Sequence, residues 1–333
     1  MKHHFADLLD RDGFHWNMVP NQERYRYRID DMSPGDDTVR AVTIGKHDLQ
    51  RDLLPTLPNV EEVTLHEPDQ QQLCELSGIK NLKRLRISHV RLKDIDFIAE
   101  LSGVEELVME YVSGFSDLSP LKRLPVLRSL HLENLRKVSD FSGLDGLVQL
   151  KYLRIDGTLD WKQPILNFEF LRGLTGLEVL SFGQVISKAA YPAFLPARHL
   201  RHLKKIRVPS NMFDMAEYAL LSVMLPEVQG ADWRAYHHTC YSYLPLQEGD
   251  ARLHMPLEKL KVHHPEVIVI HTGERRVPDP EFEWFECTGK KSGRIKCKHP
   301  DSDARCREYE ENFAAMKNNA ERVLAGISGL EKV

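Results

Sequence analysis

Apolar residues recur along this chain in one phrase: apolar, two residues, apolar, one residue, apolar. It reads Val60-Val63-Leu65, Leu82-Leu85-Ile87, Val104-Leu107-Met109, Leu127-Leu130-Leu132, Leu150-Leu153-Ile155, Leu177-Leu180-Phe182 and Leu203-Ile206-Val208. Fainter copies stand at Val39-Val42-Ile44 and Val228-Ala231-Trp233. Successive starts lie 21, 22, 22, 23, 23, 27, 26 and 25 residues apart. The last two apolar positions of each phrase alternate with mostly polar ones, the period of a strand with one face buried. Returning segments carry anchors of their own, such as Leu92, Ile95, Ile98 and Leu101, then Leu118, Leu121 and Leu124. A unit of this size cannot bury its apolar side alone, so units must stack. The pattern predicts a solenoid over residues 37–235 whose strands form one parallel sheet.

The flanks follow other periods. Residues 1–36 read as an N-terminal cap, with a short helix near Phe5–Leu9. Arg24–Ile29 alternates as a strand whose tyrosines would cover the first repeat and whose arginines would face water. Asn211 to Leu225 reads as a helix, and the strand around Trp233 ends the array. Residues 236–333 read as a small α+β tail that caps the last repeat: a strand over 266–271, a hairpin from Glu281 to Cys297, and a helix from Ser302 or Asp303. Its apolar stripe runs Cys306, Tyr309, Phe313, Met316, Ala320, Val323 and Ile327.

Repeats of this length resemble the leucine-rich repeats of the short bacterial, internalin-like class. The resemblance implies an α/β solenoid with a parallel concave sheet and a convex side that is mostly irregular, then helical. It also implies a protein-binding concave surface. One departure matters. The asparagine usual three residues after the third apolar position is replaced by Val90, Val112, Leu135, Thr158 and Val185. Other groups must satisfy the backbone there.

If the intervening residues face outward, they form three columns. The first runs Ala41, Glu62, Arg84, Glu106, Ser129, Tyr152, Val179, Lys205. The second runs Thr43, Thr64, Arg86, Val108, His131, Arg154, Ser181, Arg207. The third runs Gly45, His66, Ser88, Glu110, Glu133, Asp156, Gly183, Pro209. Glu62, Arg84 and Glu106 alternate in sign, as a ladder of surface ion pairs would. Glu110, Glu133 and Asp156 share a sign on consecutive strands. They read as a solvated acidic edge, as a binding stripe for a basic or hydroxyl-rich partner, or as a cation site. The expected contact surface comprises Arg84, Arg86, Glu106, Glu110, His131, Glu133, Tyr152, Arg154 and Asp156.

Composition narrows the function classes. A net charge of −4 over 333 residues, with both signs dispersed, disfavours nucleic acid and membrane surfaces as partners. Five scattered cysteines suit a reducing compartment, and Asp7, Asp10 and Asp12 interrupt any apolar leader, so the expected location is cytoplasmic. Cys287, Cys297 and Cys306 with His299 invite a zinc reading, but their spacing lacks close pairs. Pairing Thr288 with Arg294 would set Cys287 opposite Ile295 and Phe285 opposite Cys297, one apolar face. His237, His238 and Cys240 form a weaker cluster. Lys290, Lys291, Arg294, Lys296 and Lys298 make the hairpin basic, either a solvated tip or a contact for phosphate or an acidic partner. No Gly-rich phosphate loop, His-Glu-x-x-His or Gly-x-Ser-x-Gly motif occurs, and no cysteine begins the Cys-x-Asp motif of bacterial leucine-rich ubiquitin ligases. No cofactor is expected. The sequence reads as a non-enzymatic scaffold for another protein, basic where it meets Glu110, Glu133 and Asp156. The competing reading makes the repeats a substrate-recognition module for an enzymatic or metal-dependent tail.

Overall fold

The computed structural model describes residues 23–330. The expected helix near Phe5–Leu9 lies outside them. The chain divides into two compact units. One runs through Met212 and takes back Met224–Ala231; the other comprises Phe213–Val223 and the chain from Asp232 onward.

The first unit is built on β1 (Ala41–Gly45), β2 (Glu62–His66), β3 (Arg84–Arg91), β4 (Glu106–Ser113), β5 (Ser129–Glu133), β6 (Tyr152–Asp156), β8 (Val179–Phe182) and β10 (Lys205–Arg207). They form one parallel sheet in that order, with β7 (Gln163–Ile165) and β9 (Val185–Ser187) pairing apart as a second, two-stranded parallel ladder. The phrase explains the sheet. Val63, Leu65, Leu85, Ile87, Leu107, Met109, Leu130, Leu132, Leu153 and Ile155 are all 1% exposed or less. Burial of each such side chain contributes about 2 kcal/mol. The return anchors Leu118, Leu121 and Leu124 are equally buried. Between strands the chain turns back through the short helix α1 (Gln70–Glu75) and otherwise mostly through short 3-10 segments, among them Asp96–Glu100, Ser119–Arg123 and Glu169–Gly173. The side chains of Asp94, Asp117, Asp140 and Asn167 accept backbone N–H groups two residues on, at 2.8–3.3 Å, and so start these turns.

The missing asparagines are replaced in two ways. β3 and β4 run on, so Val90 pairs with Val112 in the ladder itself. Further along, Gln163 reaches back across a repeat. Its Oε1 accepts the Leu135 N–H at 2.9 Å and its Nε2 donates to the Val138 carbonyl at 2.6 Å.

Two expected strands are corrected at the ends of this unit. Arg24–Tyr27 and Ile29–Asp31 are 3-10 turns, not a strand. Arg24 is buried while Tyr25 is 58% exposed, the reverse of the expected facing. Only Arg28 bridges the sheet, to Thr43. A 3-10 turn repeats every three residues, so the alternate-residue pattern no longer selects a face. At the other end, no strand forms around Trp233. The ladder closes with a single bridge from Lys205 to Gln229, because the chain leaves the sheet before Trp233.

In the second unit, α2 (Met215–Met224) begins beside the hairpin, where the Lys290 N–H donates to the Phe213 carbonyl at 2.5 Å. β11 (Tyr236–Cys240) pairs antiparallel with β15 (Glu283–Cys287), and β15 with β16 (Arg294–Lys296). A second small sheet joins β12 (Tyr243–Pro245), β14 (Arg275–Pro278) and β13 (Ile268–Val269), the last shorter than the expected strand. It packs with α3 (Leu257–His263) through Leu246, Leu260 and Val267. The helix α4 (Ser302–Leu330) turns Cys306, Phe313 and Ala320 inward, on the expected stripe.

The hairpin register differs from expectation. Phe285 lies opposite Ile295 rather than Cys297, and Cys287 donates its N–H to Gly293. Thr288 gives its N–H to the Ala235 carbonyl instead of pairing with Arg294, and the turn carries Gly289 at φ +121° and Gly293 at φ +77°, so the pairing is shifted by two residues. A shift of two preserves the face, so Cys287, Ile295 and Cys306 still form one core.

Candidate interaction face of the sheet

The register aligns the first two columns over all eight strands and the third over the six from β1 to β6. Ala41, Glu62, Arg84, Glu106, Ser129, Tyr152, Val179 and Lys205 are neighbours in succession, as are His131, Arg154, Ser181 and Arg207 on the second column. Glu110, Glu133 and Asp156 stand side by side on β4, β5 and β6.

Their accessibility overturns the expectation. Arg86, Glu106, Glu110, His131, Glu133 and Asp156 are each 3% exposed or less. The centre of this face is a buried polar layer and not a solvated stripe. Adjacent strands lie about 4.8 Å apart, so long side chains in neighbouring columns shield one another. His131 Nε2 approaches Glu133 Oε2 at 3.8 Å, with both residues wholly buried. Arg154 Nη2 donates to Asp156 Oδ2 at 2.5 Å, and Asp156 Oδ1 accepts the Gln184 N–H.

Burial reorganises the charges. Removal from water, then Glu110 and Asp156, push Glu133 up to about 9, against the pull of Arg154 and Arg86. Glu133 is therefore a neutral acid at pH 7, which relieves the like-charge stack. Burial, then Arg154 and Arg86, hold His131 well below its ordinary value, so it is neutral too. Of the remaining expected contacts, Arg84 Nε donates to Glu62 at 2.9 Å. Glu106 accepts from Arg128 Nη2 at 3.0 Å. Tyr152 is half-buried at the margin.

Two ladders at the same period escaped the column reading. Just before the strands, Glu61–Lys83, Glu105–Arg128 and Lys151–Glu178 pair at 3.1 Å, and Glu178–Lys204 at 2.6 Å. Just after the third column, Glu67, His89, Tyr111 and Asn134 all take left-handed φ of 52–58°. His89 stacks on Tyr111 with ring centres 4.6 Å apart, and His66 meets His89 edge-on. The 22-residue recurrence of charged and aromatic positions was the available signal for both.

The zinc candidates are placed otherwise. Cys287 and Cys306 pack with Ile295, Tyr236, Phe285 and Tyr309, and burial raises both thiols. Cys297 is half-buried, and exposed His299 accepts the Asp301 N–H at 3.2 Å. His237 pairs with Glu286 at 3.4 Å and His238 with Glu283 at 3.3 Å. Cys240 donates to the Ser242 carbonyl. Among the described residues no three His, Cys, Asp or Glu side chains are grouped to hold a metal ion, the third column included. On the hairpin, Lys296 and Lys298 both pair with Glu281, and Arg294 lies over the Trp284 ring at 4.5 Å.

An eight-stranded parallel sheet, one strand for each apolar phrase but the last, decides the architecture. The fold is a leucine-rich repeat solenoid. No family model matches the chain. A probable disease resistance protein of Arabidopsis thaliana is 27% identical over 220 residues, 62% of this chain and 23% of that protein; the chain thus spans about a quarter of its length. Among solved structures, an internalin C2 of Listeria monocytogenes is similar at 20% identity and TM-score 0.35, over 52% of this chain and 67% of that one. A Listeria monocytogenes internalin F gives 18% and 0.30, over 57% and 71%. A chain of the Drosophila Toll–Spätzle complex gives 14% and 0.39, over 52% and 24%. No helix among the described residues of this leucine-rich repeat chain is long and apolar enough to cross a membrane.

Proposed function

We propose that this chain is a non-enzymatic scaffold that holds another protein on the column-bearing face of its sheet. The observation that carries the reading is the register: eight strands set their non-core side chains in two unbroken columns, a rigid surface with independently variable positions. The contact is made at the half-buried margin of this layer, where Arg84, Tyr152 and Arg154 stand. Arg86, Glu106, Glu110, His131, Glu133 and Asp156 lie beneath and fix the margin's shape. All five cysteines are free, which supports a reducing, cytoplasmic setting.

Affinity capture tests the reading with two charge-altering variants of the full chain. Arg84→Glu with Tyr152→Ala changes the face, and Lys122→Glu with Arg123→Glu changes exposed residues of a return turn. A discrete set of captured proteins should be lost with the first pair and kept with the second. Identical capture by both variants would refute the assignment.

A further inference from the structure

In the second unit an open sheet edge and a groove lie side by side. Among the described strands β11 pairs with β15 alone. Thr288 gives its N–H to the Ala235 carbonyl, and Tyr241 gives its N–H to the Phe282 carbonyl. Backbone groups alternate sides along a strand, so Ala235, His237, Thr239 and Tyr241 face β15. Tyr236, His238 and Cys240 turn their N–H and C=O groups to the open edge. His238, at the middle of that edge, is exposed. Such a row of backbone groups is a template for one more strand.

The groove runs between β11 and α4. Its volume is about 540 Å³, within the range of about 300–1,000 Å³ that ligand sites occupy. Trp233, Tyr236, Phe285 and Phe313 supply its apolar walls, with Ala314 and Lys317 further along α4. Tyr236 and Phe285 meet edge-on with ring centres 5.2 Å apart, and the Tyr236 hydroxyl donates to Glu310 at 2.8 Å, so this wall is fixed. The charged lining is engaged at every position but one. Glu310 accepts from Tyr236, Arg234 pairs with Asp232, and His238 pairs with Glu283 at 3.3 Å. Lys317 is half-buried and pairs with no described residue. It follows Phe313 by one turn on the same side of α4, about 6 Å along the axis.

We infer that β11 accepts an extended segment of a partner protein as a fourth strand of its sheet. That segment carries a large apolar side chain into the groove and, two residues away, a carboxylate to Lys317. Side chains two apart on a strand point the same way and lie about 7 Å apart, which matches the step from Phe313 to Lys317. Main-chain pairing at Tyr236, His238 and Cys240 supplies affinity whatever the sequence, and the two side chains supply selection. The carboxylate gives the half-buried Lys317 ammonium a charged acceptor. This surface belongs to the second unit by itself and is independent of the column-bearing face.

The test is fluorescence anisotropy of two labelled, end-capped octapeptides titrated with the full chain. One reads Thr-Ser-Thr-Phe-Thr-Glu-Thr-Ser and the other has phenylalanine and glutamate exchanged, so both strand directions are offered. At least one should bind saturably. Lys317→Glu should weaken that binding about tenfold or more, while Lys259→Glu, the same charge change on an exposed turn of α3, should leave it within about twofold. Ala314→Trp, which fills the groove, should also weaken it about tenfold or more. N-methylation of one alternate set of peptide amides should abolish binding, and methylation of the other set should spare it, because only one set faces β11. Circular dichroism checks the fold of each variant, and Lys317→Met replaces Lys317→Glu if that one fails to fold. Binding of neither peptide, equal losses from Lys317→Glu and Lys259→Glu, or equal effects of the two methylation patterns would overturn the inference. So would phenylacetate binding as tightly as either peptide, which would make the groove a small-molecule site.

Discussion

Replacing Glu133 by Gln isolates the buried acid at the centre of the sheet. Glu133 rises from 4.5 to about 9 on folding, so it keeps its proton where the unfolded chain has lost it. Stability therefore falls as pH rises from 4.5 to 9, by about 1.4 kcal/mol per unit. His131 acts in the opposite sense. Its folded value is depressed, so its contribution is present above 6.5 and lost as pH falls below it. The two slopes offset each other just below pH 6.5, and above it only the loss from Glu133 remains. Between pH 6.5 and 9 that loss amounts to about 3 kcal/mol. Glutamine has the shape of the protonated acid and no charge to suppress, so Glu133→Gln should abolish this alkaline limb. Hydrogen exchange of the β5 and β6 amides, compared between wild type and variant at each pH, reads the difference locally and cancels the intrinsic pH dependence. The variant should match wild type near pH 6 within about 1 kcal/mol and exceed it by about 3 kcal/mol near pH 9. Parallel curves, or a variant weaker at every pH, would mean that Glu133 is ionised against Arg86 and Arg154, and the reasoning would fail.

Glu110→Lys combined with Glu133→Lys, which a solvent-facing stripe would tolerate, should unfold or severely destabilise the first unit, by about 5 kcal/mol or more, because both positions are wholly buried; a native circular dichroism spectrum and melting curve would contradict this. Gln163→Ala should cost about 2–4 kcal/mol in urea unfolding, since it strands the Leu135 N–H and the Val138 carbonyl; a loss under about 0.5 kcal/mol would show that another group satisfies them. Gly114→Ala should lower the melting temperature by several degrees, because Gly114 holds φ +106° and a Cβ would overlap the Leu92 carbonyl oxygen; an unchanged melt would deny that constraint.

The sequence by itself determined the repeats, their core and the alignment of the columns. The reason is local: an apolar phrase of strand period, recurring near 22 residues, admits one way of stacking Val63 on Leu85 on Leu107. The stripe of α4 was legible for the same reason, since its spacing needs no knowledge of what it packs on. Tertiary structure decided what depends on neighbours distant in the chain. Whether Glu110 and Glu133 meet water is set by the side chains crowded around them from β3 to β6, and that burial, not residue type, makes Glu133 an acid and His131 a neutral ring. Gln163 could not be recognised as the substitute for a missing asparagine, because the groups it satisfies lie 25 and 28 residues earlier. The alternation in Arg24–Ile29 misled, since a 3-10 turn and a strand can share it over six residues.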